Sequence, residues 1–168
     1  MRWMWVDRFT EFVSGSHACG IKNVALDEEV LDDYSPGFPY LPPTLIIEGM
    51  AQLGGILVAE MFDWDKRVVL AKVGKAEFFS PARPGDQLHY RIKIDSAQED
   101  GAVAIGTSHC NGQLQANIDL MFAFLGEGRF ADGPLFKPGD LATMLRLMNM
   151  FNVAVDADGN PIEISNKL

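Results

Sequence analysis

Glu48 and Gln52 stand four residues apart in the run Pro43-Thr44-Leu45-Ile46-Ile47-Glu48-Gly49-Met50-Ala51-Gln52, a carboxylate and an amide in otherwise apolar surroundings. If the run is helical, the two share a face one turn apart, and the amide can hold the carboxylate in one orientation. A carboxylate so held can take up or release a proton. It is also costly to bury unpartnered, because apolar neighbours cannot replace its lost hydration. Two readings follow: a proton-transfer group, or a core glutamate satisfied by backbone or water.

The element that positions Glu48 reads as one helix from Pro43 to Phe62. Pro43 suits the first turn, where its missing N–H would be unpaired anyway. Leu45, Ile46, Ile47, Met50, Leu53, Ile56, Leu57, Val58, Met61 and Phe62 cover nearly every face, so the helix must be wrapped by other structure. Glu48, Gln52 and Glu60 break the apolar run below the roughly 18 residues of a bilayer span, and no membrane span is expected.

The wrapping is supplied by segments of two-residue period. Leu88, Tyr90, Ile92 and Ile94 alternate with His89, Arg91, Lys93 and Asp95. Leu114, Ala116, Ile118, Leu120, Phe122 and Phe124 alternate with Gln115, Asn117 and Asp119, which places Gln115 on the outer face. Gly101 to Cys110 reads as a strand between them, left through the hairpin signal Asn111-Gly112. Arg67 to Val73, Arg8 to Val13 and His17 to Val24 are further strands, and Pro84-Gly85-Asp86 is a turn. The order predicts an α+β fold, a curved antiparallel sheet around one long central helix. Beyond it, Pro138-Gly139-Asp140 looks like a helix start with Asp140 as cap, Leu141, Met144, Leu145 and Met148 follow helical spacing, and Val153 to Leu168 reads as a small hairpin about Asp158-Gly159-Asn160. Residues 1–130 are expected as the main domain and 131–168 as an extension packed on it, with the Met cluster serving plain packing.

A chain of 168 residues with 48% apolar and 22% charged residues fits one globular domain. The net charge of −9 argues against sequence-independent binding to nucleic acid or anionic lipid. Cys19 and Cys110 have neither metal-type spacing nor a paired framework, so a reduced cytosolic setting and no metal are expected. Asp7 and Arg8 interrupt any secretory apolar core at the start.

Val6-Asp7-Arg8, Ile21-Lys22-Asn23-Val24, the loop Pro36-Gly37-Phe38-Pro39, Leu45 to Gln52, Ala76-Glu77-Phe78 and Arg83-Pro84-Gly85-Asp86-Gln87-Leu88 occur in one register and order. In these motifs, over roughly residues 6 to 125, the chain resembles the 3-hydroxyacyl-acyl-carrier-protein dehydratases of the hotdog-fold family, which serve fatty acid synthesis. The resemblance implies a 3-hydroxyacyl chain on a phosphopantetheine thioester, carried by acyl carrier protein or coenzyme A, and no further cofactor. It also implies a homodimer or a trimer of dimers, with a loop histidine and a helix carboxylate contributed by opposite subunits.

Glu48 matches the carboxylate position. Tyr34, fourteen positions earlier, stands where the family pattern has histidine. With an ordinary pKa of about 10 against about 6.5, tyrosine is a poor base near neutrality but a usable acid or donor. His17, His89 and His109 lie in strand-like segments and read as structural or surface residues. Pro43 stands where the family has a glycine whose N–H binds the thioester carbonyl; losing such a donor costs about 3 to 4 kcal/mol of transition-state stabilisation. The Thr44 N–H serves instead if the carbonyl binds deeper.

The resemblance thus implies Glu48 and Tyr34 as catalytic, Gly37, Phe38, Tyr40, Pro43, Thr44 and Gln52 as substrate-binding, and Lys72, Lys75, Arg83 and Arg91 as carrier-binding residues. Phe38 and Tyr40 either shorten the acyl pocket or pack against a dimer partner. Three functions fit: a hydro-lyase with Glu48 as base and Tyr34 as acid; a non-catalytic acyl-thioester-binding protein or inactive partner of an active paralogue; and an acyl-thioester isomerase.

Overall fold

The computed structural model describes residues 3–34, 36–126, 139–163 and 165, and its organising element is α2, Pro43–Met61. Pro42 precedes it as N-cap, and the Pro42 carbonyl accepts the N–H groups of Leu45 and Ile46 at 2.9 and 3.4 Å. Ile46, Met50, Leu53, Leu57 and Val58 are buried. At about 1.5 to 3 kcal/mol for each large apolar side chain removed from water, this face drives the packing. By length and composition α2 could cross a membrane, but its buried residues lie in one core with those of the sheet. The helix ends without glycine: Asp63 and Trp64 have φ of 50° and 63°, and the Trp64 N–H returns to the Ala59 carbonyl at 2.8 Å.

Before α2 come β1 (Arg8–Val13), β2 (His17–Asn23) and α1 (Glu29–Tyr34); after it come β3 (Val68–Phe78), β4 (Gln87–Ala97), β5 (Gly101–Cys110) and β6 (Gln113–Phe124). The C-terminal segment adds α3 (Asp140–Leu147), α4 (Met150–Val153) and β7 (Ala154–Val155). One sheet results, in the order β3-β6-β5-β4-β2-β1-β7. Its pairs are antiparallel except β1 with β7. Leu88, Tyr90 and Ile92 of β4, Ala104 of β5 and Ile118, Leu120 and Phe122 of β6 form the face turned to α2. Close packing depends on small residues: a Cβ on Gly54 would press on the Phe122 ring, and one on Gly106 would strike Met50 and Ile92. Asn111 and Gly112, both at positive φ, make the β5–β6 turn that the sequence signals.

Two local expectations are corrected, and one short helix is present that the sequence did not announce. The α3 cap is Gly139 at φ 82°, and Asp140 is the first helical residue, with no side-chain cap bond; Pro138 lies outside the described residues. α1 has no apolar repeat to announce it, yet Leu31 is fully buried and the Glu28 carboxylate accepts the Ala25 N–H at 3.3 Å. That contact closes the turn that leads into α1 at Glu29. The alternation in β6 also breaks. Ser108 pairs with Ala116 but His109 with Leu114, so Gln115 is an extra residue in a bulge. The bulge turns Gln115 inward to 1% exposure and leaves Leu114 38% exposed, the reverse of a strict period of two.

The C-terminal segment closes the β1 edge. β7 pairs with Phe12 and Val13, the Phe9 N–H bonds the Met148 carbonyl at 2.8 Å, and Leu145, Met148 and Met150 enter the core. A turn over Asp156 to Asn160 leads to a bridge between Val155 and Pro161.

Candidate active site

A cleft and a carboxylate occupy opposite sides of α2. The cleft lies at the start of the helix, where the Leu41 N–H bonds the Ala82 carbonyl at 2.8 Å and ties the loop to the β3–β4 connection. It is an open cleft of about 510 Å³, lined by Phe38, Tyr40, Pro43, Ile46, Phe78 and Pro81 among others. The lining is largely apolar, with Gln115 at the base of the β3–β4 connection and its Nε2 donating to the Ser80 carbonyl at 2.8 Å. Gly37 at φ 78° allows the turn that leads in. Phe38 is 51% exposed, its ring edge-on to Tyr40 at 6.1 Å, with the Arg83 guanidinium 4.7 Å from its centroid.

Glu48 follows Ile46 by two residues, a rotation of about 200° around the helix, and so faces away from that cleft. It is half-buried. Its Oε1 accepts from Gln52 Nε2 at 2.8 Å, the one-turn contact expected from the spacing. Gln52 is itself held: its Nε2 also donates to the Trp3 carbonyl at 2.9 Å, and its Oε1 accepts the Trp5 N–H at 2.8 Å. The chain passes this close because Gly49 has no Cβ; one there would collide with the Trp5 carbonyl oxygen. Neither Trp3 nor Trp5 is singled out by sequence reasoning, since main-chain contacts leave no residue signature. Trp5 is buried under the Lys22 ammonium, 5.5 Å from its ring, and Lys22 pairs with Glu28 at 2.7 Å.

At the helix start Pro43 has no N–H, so the first helical donor is that of exposed Thr44. Tyr34 ends α1, and its side chain lies outside the described residues. The four basic positions are not brought together. Arg83 sits at the cleft mouth against Phe38. Lys72 and Lys75 lie on β3, opposite Met121 and Asp119, with Lys75 bonded to Glu77 at 2.7 Å. Arg91 lies on β4 beside Glu11 and Cys19 at 3.4 Å from each. Cys19 is pushed up to about 11 by burial and by the neighbouring Glu11, which removes it as a nucleophile near neutrality. His17 bonds Glu11 at 3.2 Å and holds that carboxyl below its ordinary value. Among the described residues no cluster of His, Cys, Asp or Glu could hold a metal.

The family model of the FabA-like domain matches residues 2–119, from the N-terminal clamp on Gln52 through most of β6. The chain belongs to the FabA-like family. Over 122 residues it is 34% identical to the 3-hydroxyacyl-[acyl-carrier-protein] dehydratase FabZ of Campylobacter curvus (strain 525.92), covering 68% of this chain and 82% of that one. Among solved structures, the dehydratase heterocomplex ApeI:P from Xenorhabdus doucetiae superposes with a TM-score of 0.60 at 18% identity, over 74% of this chain and 85% of that chain. Smu.793 from Streptococcus mutans UA159, bound to acetyl CoA, gives 0.58 at 17% identity, over 71% and 88%. At such identities the likeness establishes the hotdog fold. The FabA-like match stops before α3, so the C-terminal segment that closes the β1 edge is an addition to it.

Proposed function

We propose that this FabA-like protein is a 3-hydroxyacyl-thioester dehydratase of fatty acid synthesis that works in the cytoplasm, with Glu48 moving the proton α to the thioester and Tyr34 acting as acid on the departing hydroxyl. The observation that carries the reading is the held carboxylate: Glu48 is half-buried, and its Oε1 is committed to Gln52. A solvent-facing glutamate would have no need of that partner. The substrate class rests on the relatives, which are named as acyl-carrier-protein dehydratases, and on the apolar cleft of about 510 Å³, a volume suited to a small ligand.

The site is completed by a second copy of the chain. Cleft and Glu48 face opposite sides of one helix, so a substrate in the cleft of one protomer meets the carboxylate of another. The 11-residue β3 ends the sheet with one edge unpaired among the described residues, the arrangement that edge pairing between copies relieves. Arg83 at the cleft mouth offers an acidic carrier protein a positive contact there, and Lys72 and Lys75 offer separate ones along β3, on a chain of net charge −9.

A second reading has its own observation. Pro43 removes the helix N–H that would meet the thioester carbonyl, and tyrosine replaces the loop histidine; both changes favour a protein that binds acyl thioesters without turning them over. Hydration of crotonyl thioester, followed by absorbance, separates the two. The enzyme reading expects turnover by the wild type that is lost in Glu48→Gln and in Tyr34→Phe. An inert wild type that gains activity through Tyr34→His with Pro43→Gly overturns it in favour of the binding protein.

A further inference from the structure

The hydrogen bonds that the described N-terminal segment makes to Gln52 come from main-chain atoms, the Trp5 N–H and the Trp3 carbonyl. We propose that the backbone of Trp3 to Trp5 is a positioning element: it fixes which end of the Gln52 amide meets Glu48, and so leaves Glu48 Oε2 as the oxygen that handles the proton. This rests on the reading of Glu48 as the proton-transfer group.

A glutamine amide is nearly symmetric in shape, and its two ends exchange by a half-turn about χ3. Side-chain partners such as hydroxyls tolerate either end, whereas main-chain partners do not. The Trp5 N–H can only donate, so it requires Gln52 Oε1, at 2.8 Å. The Trp3 carbonyl can only accept, so it requires Nε2, at 2.9 Å. The second hydrogen of Nε2 is then aimed at Glu48 Oε1, at 2.8 Å. Reversing the amide would set N–H against N–H and oxygen against two oxygens, losing three hydrogen bonds at once. At the usual worth of each, the observed orientation is favoured by more than about a hundredfold.

The segment holds this position without help from Gln52. Trp5 is 9% exposed, and the Lys22 ammonium, fixed by Glu28, lies 5.5 Å from its ring centroid. The Asp7 N–H joins the Ile21 carbonyl at 2.8 Å, and Asp7 Oδ2 accepts the Asn23 N–H at 2.6 Å. Gly49, between Glu48 and Gln52, supplies the gap through which the Trp5 carbonyl approaches. The amide therefore meets a rigid template. With Oε1 engaged, a proton taken from substrate goes to Oε2, and the Gln52 N–H steadies the carboxylate before transfer.

Two variants isolate the main-chain donor: Trp5→Pro and Trp5→Leu both lose the indole, but only proline also removes the N–H. In 1H–15N spectra the Gln52 side-chain amide should be slowed in exchange in the wild type and in Trp5→Leu, and freed in Trp5→Pro. With crotonyl thioester, Trp5→Pro should lose about tenfold in kcat relative to Trp5→Leu, at matched KM. Equal Gln52 protection and equal kcat in the two variants would overturn the inference. An inert wild type would fail the catalytic reading of Glu48 alone, and Gln52 protection would then decide the clamp by itself. Should Trp5→Pro not fold, the through-hydrogen-bond coupling between Gln52 15Nε2 and the Trp3 carbonyl carbon gives the answer in the wild type: its presence supports the clamp and its absence overturns it.

Discussion

Val73 and Lys75 pair with the successive β6 residues Leu120 and Asp119, so Gly74 between them has no partner on β6. The bulge lies in the strand that ends the sheet, and proline there would disturb the edge pairing between copies that we propose while sparing the β3–β6 ladder. Gly74→Pro should shift the proposed dimer to monomer in sedimentation velocity while retaining the circular dichroism of the fold. An unchanged dimer would place the contact elsewhere.

Gly49→Ala tests the close pass of the N-terminal segment over α2. The new methyl meets the Trp5 carbonyl oxygen, a main-chain atom that cannot rotate away, and then the Tyr90 ring at 3.0 Å. Overpacking of this kind costs about 1 to 3 kcal/mol, read as a lower urea midpoint at unchanged slope. Wild-type stability in this variant would mean that the segment moves freely.

The β strands were legible in sequence wherever one face is buried, because alternation in β4 and the Asn111-Gly112 turn leave little choice of register. Alternation failed at Gln115, where a bulge reverses inside and outside and no residue type announces it. β7 was not readable as a partner of β1, since its pairing depends on the path of residues far along the chain. At the site, the pairing of Glu48 with Gln52 followed from helical spacing alone. The Trp3 and Trp5 contacts did not, because any residue supplies a carbonyl and an N–H. Nor does spacing collect Arg91 with Arg83: Arg91 lies beside Glu11 and Cys19 on β4, Arg83 against Phe38.

Glu60 should make stability depend on pH. Burial raises its carboxyl above the ordinary value, with Asp63 adding to the rise, so the folded chain binds this proton more tightly than the unfolded chain does. The ionised form opposes folding above the raised pKa, and that loss is recovered as pH falls through the raised value toward the ordinary one. Glu60→Gln should therefore raise the melting temperature at pH 7 and leave it nearly unchanged near pH 4, about the ordinary carboxyl value. An equal effect at both pH values would contradict the assignment.

Carrier recognition should be electrostatic. Arg83→Glu together with Lys75→Glu should weaken binding of an acyl carrier protein by at least about tenfold at low salt, and added salt should weaken the wild type in the same direction. Titration calorimetry at two salt concentrations reads both effects. Salt-insensitive binding would point to a coenzyme A thioester as the substrate.

The central claim is that Glu48 of one copy serves the cleft of another. Glu48→Gln removes the carboxylate, and Ser80→Trp fills the cleft that Ser80 lines. Chains carrying one change each, refolded together in equal amounts, give mixed dimers in half of all pairs, and each mixed dimer keeps one of its two shared sites intact. Crotonyl thioester hydration should return to about a quarter of the wild-type rate, although each parent alone is inactive. A mixture no more active than its parents would show that carboxylate and cleft act within one chain, or not together at all.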